Sequence, residues 1–218
     1  DFNLSAQLKI FSQQDKVYLE FQSYIDQIDV NKINQNIPEV LANTQSTEWL
    51  DKVIAEGVLS DIMLTTRFNI SGDLETPNTK FSANLQDAKL NVNSGWAPIT
   101  DLNAKVTFSN DYVNITGKNA KLEGIDLSYL NISIRNFNKP EAKLVLDGRF
   151  NSNSETISQF LKQSPVPVRV KDYLNEFELS GDVWGNVTIV KTLQEDTKKK
   201  FEVDFDMYVT DNTLSLFD

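Results

Sequence analysis

The side chains that most enzymes use for nucleophilic and acid–base chemistry are missing from this sequence. It contains no histidine and no cysteine, which excludes Ser-His-Asp triads, histidine metal sites, thiol catalysis and disulfide bonds. The remaining candidates are the carboxylates of Asp204 and Asp206, which share one face of an alternating strand. Paired carboxylates bind calcium or act as acid and base. These two also fit a solvent-facing side opposite Val203 and Phe205, and we favour that interpretation.

Five Asn-x-Ser/Thr triplets form a second recurring pattern. As glycosylation acceptors they would indicate a secreted eukaryotic protein. Each triplet is also polar-apolar-polar, which is the pattern of a strand with one wet and one dry face. We favour the strand interpretation for all five, namely Asn3-Leu4-Ser5, Asn69-Ile70-Ser71, Asn114-Ile115-Thr116, Asn131-Ile132-Ser133 and Asn186-Val187-Thr188.

The charge balance excludes two classes of partner. Lys and Arg number 21 against 31 Asp and Glu, a net charge of −10, whereas proteins that bind nucleic acid or adhere to anionic membranes present basic patches. No apolar run is long enough to span a bilayer. The chain begins and ends inside alternating patterns, so we expect a piece of a longer protein.

Period-two alternation dominates the sequence and predicts about a dozen antiparallel strands, each dry on one side. The fold class is therefore mainly β with two or three short helices, and we expect the strands to form an elongated, curled antiparallel sheet. The clearest alternating runs are Phe2–Ile10, Val17–Phe21, Ile62–Ile70, Phe81–Leu85, Leu102–Phe108, Leu130–Ile134, Ala142–Leu146, Val183–Ile189 and Phe201–Val209.

Helical spacing interrupts the alternation in a few places. It predicts helices between Val30 and Glu56 with Gly57 as C-cap, and a short helix after the capping box Ser152-x-x-Glu155. A weaker helical turn is predicted over Lys171–Glu176. The resulting organisation is an N-terminal β-hairpin over 1–29, a helical cap over 30–57 and a β-array over 58–218. Three Asx-type turns are predicted to join strands, at Asp87-Ala88-Lys89-Leu90, Asn119-Ala120-Lys121-Leu122 and Asp211-Asn212-Thr213-Leu214.

So many dry strand faces need a cover. A second sheet would cover them in a sandwich, whereas a single curled sheet would leave an apolar trough open to acyl chains. Trp96, between Gly95 and Pro98, is either a core plug at a strand junction or an aromatic lining such a groove. Composition alone leaves sandwich and trough both open.

Several segments in a fixed order resemble the YhdP-type proteins of the AsmA-like superfamily. The resemblance extends over residues 38–218, and the family often has tryptophan directly before proline where Ala97 intervenes in this chain. The segments are Pro38, Glu48-Trp49-Leu50, Gly57–Ile62, Phe81–Ala88, Gly95–Leu102, Phe160–Pro165 and Leu179–Val183.

The resemblance implies an envelope protein of Gram-negative bacteria that is anchored in the inner membrane. Its body would be a repeating β-groove in the periplasm that moves phospholipid toward the outer membrane without catalysis, cofactor or metal. Its partners would be phospholipid acyl chains, with envelope protein partners unidentified. Candidate groove-lining residues are Trp96, Val106, Phe108, Ile132, Ile134, Leu144, Leu146, Val187 and Ile189, each of which could instead pack beneath a helix.

A second class of protein would have the same composition. A surface adhesin or structural β-array would also be acidic, rich in asparagine and without catalytic residues. Its apolar faces would be sealed, and it would bind through exposed aromatic side chains such as Tyr112 or Tyr173. Bound lipid would favour the groove, and a sealed core would favour the adhesin.

Overall fold

A computed structural model describes residues 3–32, 53–72, 76–91, 95–136, 139, 142–193 and 201–216. They form one antiparallel sheet of eleven strands whose neighbours follow the chain order, except that short β7 pairs with β5 and β8. The strands are β1 (Leu4–Gln13), β2 (Lys16–Asp29), β3 (Ile54–Asn69), β4 (Asn78–Leu90), β5 (Ile99–Ser109), β6 (Tyr112–Lys118), β7 (Ala120–Leu122), β8 (Ile125–Arg135), β9 (Lys143–Asn153), β10 (Phe177–Thr192) and β11 (Phe201–Leu216). The predicted mainly β fold built on one antiparallel sheet is confirmed.

The two faces of the sheet differ in chemistry, as the alternation predicts. We call the face that carries the apolar side chains the inner face, and the opposite one the outer face. One row of directly paired inner-face residues crosses six strands: Val106, Ile115, Ile132, Leu146, Ile189 and Val203. Cross-strand pairs of this kind are the unit of sheet stabilisation, so the apolar face is continuous from strand to strand.

Three of the Asn-x-Ser/Thr triplets, those that begin at Asn114, Asn131 and Asn186, lie within strands and follow the same alternation. Ile115 and Ile132 are buried on the inner face, while their polar neighbours bond to one another on the outer face. Asn114 Nδ2 donates to Asn131 Oδ1 at 2.7 Å, and Thr116 Oγ1 donates to the same oxygen at 2.9 Å. The Asn114 and Asn131 triplets therefore form a polar ladder between β6 and β8, whereas Ile70 of the Asn69 triplet lies just beyond β3 and is exposed.

A series of bulges keeps the apolar residues on one face. Aspartate or asparagine with positive φ interrupts several strands, and the next residue is buried in each case: Asp61 (φ 51°) before Ile62, Asp87 (48°) before Ala88, Asp101 (56°) before Leu102 and Asn119 (58°) before Ala120. A bulge adds one residue, bends its strand and increases the local twist. The series therefore curls the sheet about its inner face.

Two of the three predicted turns are wrong, because their residues lie at irregularities within strands. Asp87-Ala88-Lys89-Leu90 lies inside β4, where the register with β5 shifts between Leu85 and Ala88. The predicted junction at Asn119 is confirmed, since this residue is the single position between β6 and the shorter β7. Asp211-Asn212 lies within β11, where the β10–β11 register shifts opposite Gly181. The Asx pattern was read as a turn because aspartate and asparagine favour both turns and the left-handed region.

The predicted helical cap over 30–57 is described only at its two ends. Val30–Lys32 form a 3₁₀ turn, residues 33–52 lie outside the described residues, and β3 already begins at Ile54. The predicted helix through Glu56 with a C-cap at Gly57 is therefore wrong at that end. Gly57 lies within β3 at φ 139°, where an added Cβ would be 3.1 Å from the Ala88 Cα. Strand β2 pairs with β3, so the N-terminal hairpin belongs to the same sheet.

Two α-helices, α1 (Ser154–Gln163) and α2 (Val168–Glu176), lie between β9 and β10. Helix α1 begins one residue later than the capping box predicts, because Asn153 is its N-cap and accepts a hydrogen bond from the Thr156 backbone N–H at 2.8 Å. Ile157 and Phe160 are buried on one side of α1. Within the described residues, no helix has the length and apolar character needed to cross a membrane.

Candidate functional site

An apolar cavity of about 120 Å³ lies on the inner face between β8, β9 and β10, under α1 and the segment that leads into β5. Its wall is formed almost entirely by aliphatic and aromatic side chains, so it offers a dry environment. The wall includes Trp96, Ala97, Ile99, Leu122, Ile125, Leu127, Leu130, Leu144, Leu146, Phe150, Ile157, Phe160, Leu161, Val166, Val187, Ile189, Val203 and Phe205.

Trp96 and α1 cover one end of this cavity. The Trp96 and Phe160 rings pack with centroids 5.9 Å apart and planes inclined by 44°. Gly95 has φ 92°, a backbone conformation that residues with a side chain rarely adopt, so glycine suits the turn that brings this segment next to Pro165. Ile157, Phe160 and Leu161 share one helical face, with the i, i+3, i+4 spacing of a helix that packs on a sheet.

Gly148 on β9 leaves extra space in the part of the cavity wall that the sheet forms. Gly148 is paired with Leu130 on β8 and Val187 on β10, so it is the one position without a side chain in that row of three. A Cβ at Gly148 would lie 3.2 Å from Val187 Cγ1. The missing side chain therefore leaves space where the walls from β8 and β10 meet.

Lys191 is the one charged residue that the described part of the chain contributes to the wall. It is half-buried on the inner face of β10, next to Leu144 of β9. Lysine often places its aliphatic stem along an apolar surface while the ammonium group reaches water. The cavity is thus covered by aromatic side chains at one end and carries a cation at the other.

The structure brings five of the nine predicted lining residues together on the wall, namely Trp96, Leu144, Leu146, Val187 and Ile189. Val106, Ile132 and Ile134 lie on the same face and belong to the same core, but each is only 1% exposed and does not line the cavity. Phe108 borders a separate shallow hollow with Phe81 and Met63.

Sequence reasoning missed other parts of the wall, although their signals were present. Phe160 and Leu161 were identified as the apolar face of a helix, and Phe205 as part of an alternating strand. What the sequence could not show is that these elements face the same space. Phe150 and Leu130 were not among the predicted lining residues, although Leu144 and Leu146 on the strand of Phe150, and Ile132 and Ile134 on that of Leu130, were.

The apolar inner face remains exposed at both edges of the sheet. On β1, Leu4, Leu8 and Ile10 are each at least 60% exposed, and on β11, Val203 is 51% exposed. Large exposed apolar surfaces mark binding sites or interfaces. The inner face is therefore covered in the middle and open at its margins.

The ion pair between Glu20 and Arg67 lies away from the cavity. On the outer face, Arg67 donates to Glu20 Oε2 from its terminal nitrogen at 2.6 Å and from Nε at 2.9 Å. The Arg67 hydrogen bond lowers the pKa of the Glu20 carboxyl below its ordinary value. Asp204 and Asp206 are exposed, and the described residues contain no group of three carboxylates that could hold a metal ion.

Comparison with known families agrees with this architecture. The sequence matches the YhdP protein family over residues 2–217, which is nearly the whole chain. The chain belongs to the YhdP family. YhdP is part of the AsmA-like group, so the resemblance noted from the order of sequence segments is confirmed. No curated protein and no solved structure shows significant similarity to the chain.

Proposed function

We propose that this chain is a segment of a periplasm-spanning lipid-transfer protein of the Gram-negative envelope. Its inner face shields phospholipid acyl chains as they pass between the inner and the outer membrane, and no catalysis is involved. The observation that carries this proposal is the continuous apolar inner face, which leads into an open, apolar cavity. Membership of an envelope-associated lipid-transport family supports it.

The dimensions of the cavity suit part of an acyl chain. Its volume of about 120 Å³ is close to the ~150 Å³ of a dry apolar cavity that holds benzene. Along β9 the wall extends from Leu144 to Phe150, which is about 20 Å at the rise of a strand. The acyl chains of one leaflet occupy about 15 Å, half of a bilayer core. The wall is therefore long enough for an extended chain, of which the cavity encloses a segment.

The proposed mechanism is physical. Each methylene group that leaves an apolar environment for water costs about 0.8 kcal/mol, so an exposed chain of ten methylenes costs about 8 kcal/mol. Contact with an apolar strand face keeps the methylene groups out of water at every stage of the transfer. Because its contacts are non-directional, a chain can slide along the face without breaking specific bonds.

One observation favours the sealed β-array as a competing function. Val106, Ile132 and Ile134 are almost fully buried, so this part of the inner face is closed core. Under that alternative the cavity would be a packing defect, and any binding would involve outer-face groups such as Tyr112. The two functions make opposite predictions about bound lipid.

The test uses Val187 and Val190, which are both half-buried on β10 and lie on opposite faces of the sheet. Only Val187 lines the cavity. We expect native mass spectrometry and lipid extraction to detect phospholipid in the purified protein and in Val190→Asp. Val187→Asp should remain folded by circular dichroism but lose that lipid. Lipid-free wild-type protein that takes up none from labelled liposomes would contradict the proposal and favour the sealed array.

A further inference from the structure

The cation at one end of the cavity lies in an otherwise apolar row. Along the inner face, Val113, Ile134, Leu144 and Lys191 are successive cross-strand partners, and the first three are buried aliphatic residues. An ammonium group at a half-buried position has less water around it than one on an exposed loop. An anion brought to it therefore interacts more strongly than at the open surface.

Further cations lie at the same end of the sheet as Lys191, and those within strands are on its outer face. Arg135 pairs with Lys143, and Lys143 pairs with Thr192, the residue after Lys191. Lys139 precedes β9 in the chain. Lys139, Arg135 and Lys143 are all exposed. The acids that the described residues place nearby are Asp111, beside the Arg135 partner Tyr112, and Glu202, opposite Val190. Arg135 and Lys143 alternate with the inner-face residues Ile134 and Leu144, so they lie on the face of the sheet opposite Lys191.

We propose that Lys191 binds the phosphate group of a phospholipid whose acyl chain lies in the cavity. This inference rests on the proposed function and specifies the orientation of the bound lipid. The headgroup is held at the Lys191 end of β10, and the chain extends toward Trp96 and α1. Lysine is a common phosphate ligand that acts as a point charge, and its stem already forms part of the apolar wall. Arg135 and Lys143 lie on the outer face, so among the described residues Lys191 alone supplies positive charge to the cavity wall.

The experiment compares two ligands with the same short acyl chains, dioctanoyl phosphatidylglycerol and dioctanoylglycerol, which lacks the phosphate. Binding to the purified protein is measured by titration calorimetry below the concentration at which either ligand forms micelles. We expect the wild type to bind the phospholipid about tenfold more tightly, which is the factor typical of one hydrogen bond to a charged group. Soluble glycerol 3-phosphate, which has no chains, should not bind.

Lys191→Met keeps an apolar stem of similar length and removes the charge. In this variant the two ligands should bind within about twofold of each other, with the affinity for dioctanoylglycerol unchanged. Lys143→Met removes an exposed charge from the same end of the sheet, outside the cavity, and it should retain most of the preference. Lys191→Arg keeps the charge and should retain part of it.

The outcomes separate the two proposals. Equal binding of both ligands by the wild type, or an unchanged preference in Lys191→Met, would overturn the role of Lys191 and leave lipid binding intact. Tight binding of glycerol 3-phosphate would show a site for free phosphate and would also overturn it. Failure of the wild type to bind either acyl ligand would contradict the proposed function itself, and this inference with it.

Discussion

The rings of Phe150 and Phe205 stack across an intervening strand, with centroids 5.0 Å apart and planes inclined by only 10°. Phe150 lies on β9 and Phe205 on β11, so the contact passes over β10. Gly185 makes this possible, because it is the residue of β10 that pairs with Phe150. Both rings belong to the cavity wall. The aromatic bridge therefore ties the exposed edge strand to the interior of the sheet.

Gly185→Ala should loosen this bridge. An added Cβ would be 2.8 Å from the Phe150 ring and would collide with the Asp206 backbone carbonyl of β11. Overpacking of this kind costs about 1–3 kcal/mol, and each kcal/mol lowers the Tm of a chain of this size by about 2–4 °C. Gly72→Ala is the control, since a Cβ there meets nothing within 4 Å. Equal Tm values for the two variants by differential scanning calorimetry would refute the proposed role of Gly185.

The bulge at Asp87 can be tested through its backbone conformation. At φ 48° a β-branched side chain is strained by about 1–2 kcal/mol, so Asp87→Val should lower the Tm. Asp87→Gly removes that penalty and should leave the Tm unchanged or raise it. Gln86→Val places the same side chain one residue earlier, at an exposed position of β4 without positive φ. If Gln86→Val destabilised the protein as much as Asp87→Val, strain at the bulge would not be the cause.

Tryptophan fluorescence distinguishes the two faces of the sheet. Trp96 lies on the cavity wall, whereas Trp184 is 47% exposed and stacks on Tyr208 at 4.4 Å on the outer face. Phospholipid with brominated acyl chains should quench Trp96, because bromine quenches only at contact. It should leave Trp184 nearly unchanged.

Two variants isolate these signals. Trp49→Phe with Trp184→Phe leaves Trp96 alone, and Trp49→Phe with Trp96→Phe leaves Trp184 alone. Stronger quenching of Trp184 than of Trp96 would place the acyl chains on the outer face and contradict lipid binding in the cavity.

The Glu20–Arg67 pair should make stability depend on pH. The pKa of Glu20 lies below its ordinary value of 4.5, first because Arg67 donates hydrogen bonds to the carboxylate. A lowered pKa in the folded state means that the stabilisation is complete above 4.5 and is lost as the pH falls through the folded-state pKa. The Tm of Glu20→Gln should therefore be below that of the wild type at neutral pH, and the two should converge in acid. Because the pair lies on the outer face, bound lipid should not change. A Tm difference that is constant with pH would contradict this assignment.

Period-two alternation was sufficient to predict the sheet and the face of most residues, because each strand has one dry side. The same pattern of apolar residues also indicates the bulges, although the sequence analysis did not use it for that purpose. Buried residues step by three instead of two at Leu59–Ile62, Leu85–Ala88 and Ile99–Leu102, and an aspartate with positive φ lies inside each step. A three-residue step with an internal aspartate is thus a readable sign of a bulge.

The cavity could not be predicted to the same extent. Ile132 and Leu146 are direct partners on neighbouring strands and share the inner face, yet only Leu146 lines the cavity. The difference depends on which part of the sheet α1 and Trp96 cover. Trp96 and Phe160 meet across 64 positions of sequence, and no local pattern encodes that contact.

Photo-crosslinking along β10 tests most directly whether acyl chains travel on the inner face. p-Benzoylphenylalanine is introduced in turn at Val187, Thr188, Ile189 and Val190, and the protein is irradiated after incubation with phospholipid vesicles. The inner face carries Val187 and Ile189, so these two positions should form lipid adducts, while Thr188 and Val190 should not. Adducts with this period of two would locate acyl chains on the inner face. Adducts at all four positions, at the outer pair, or at none would contradict an acyl-chain path along that face.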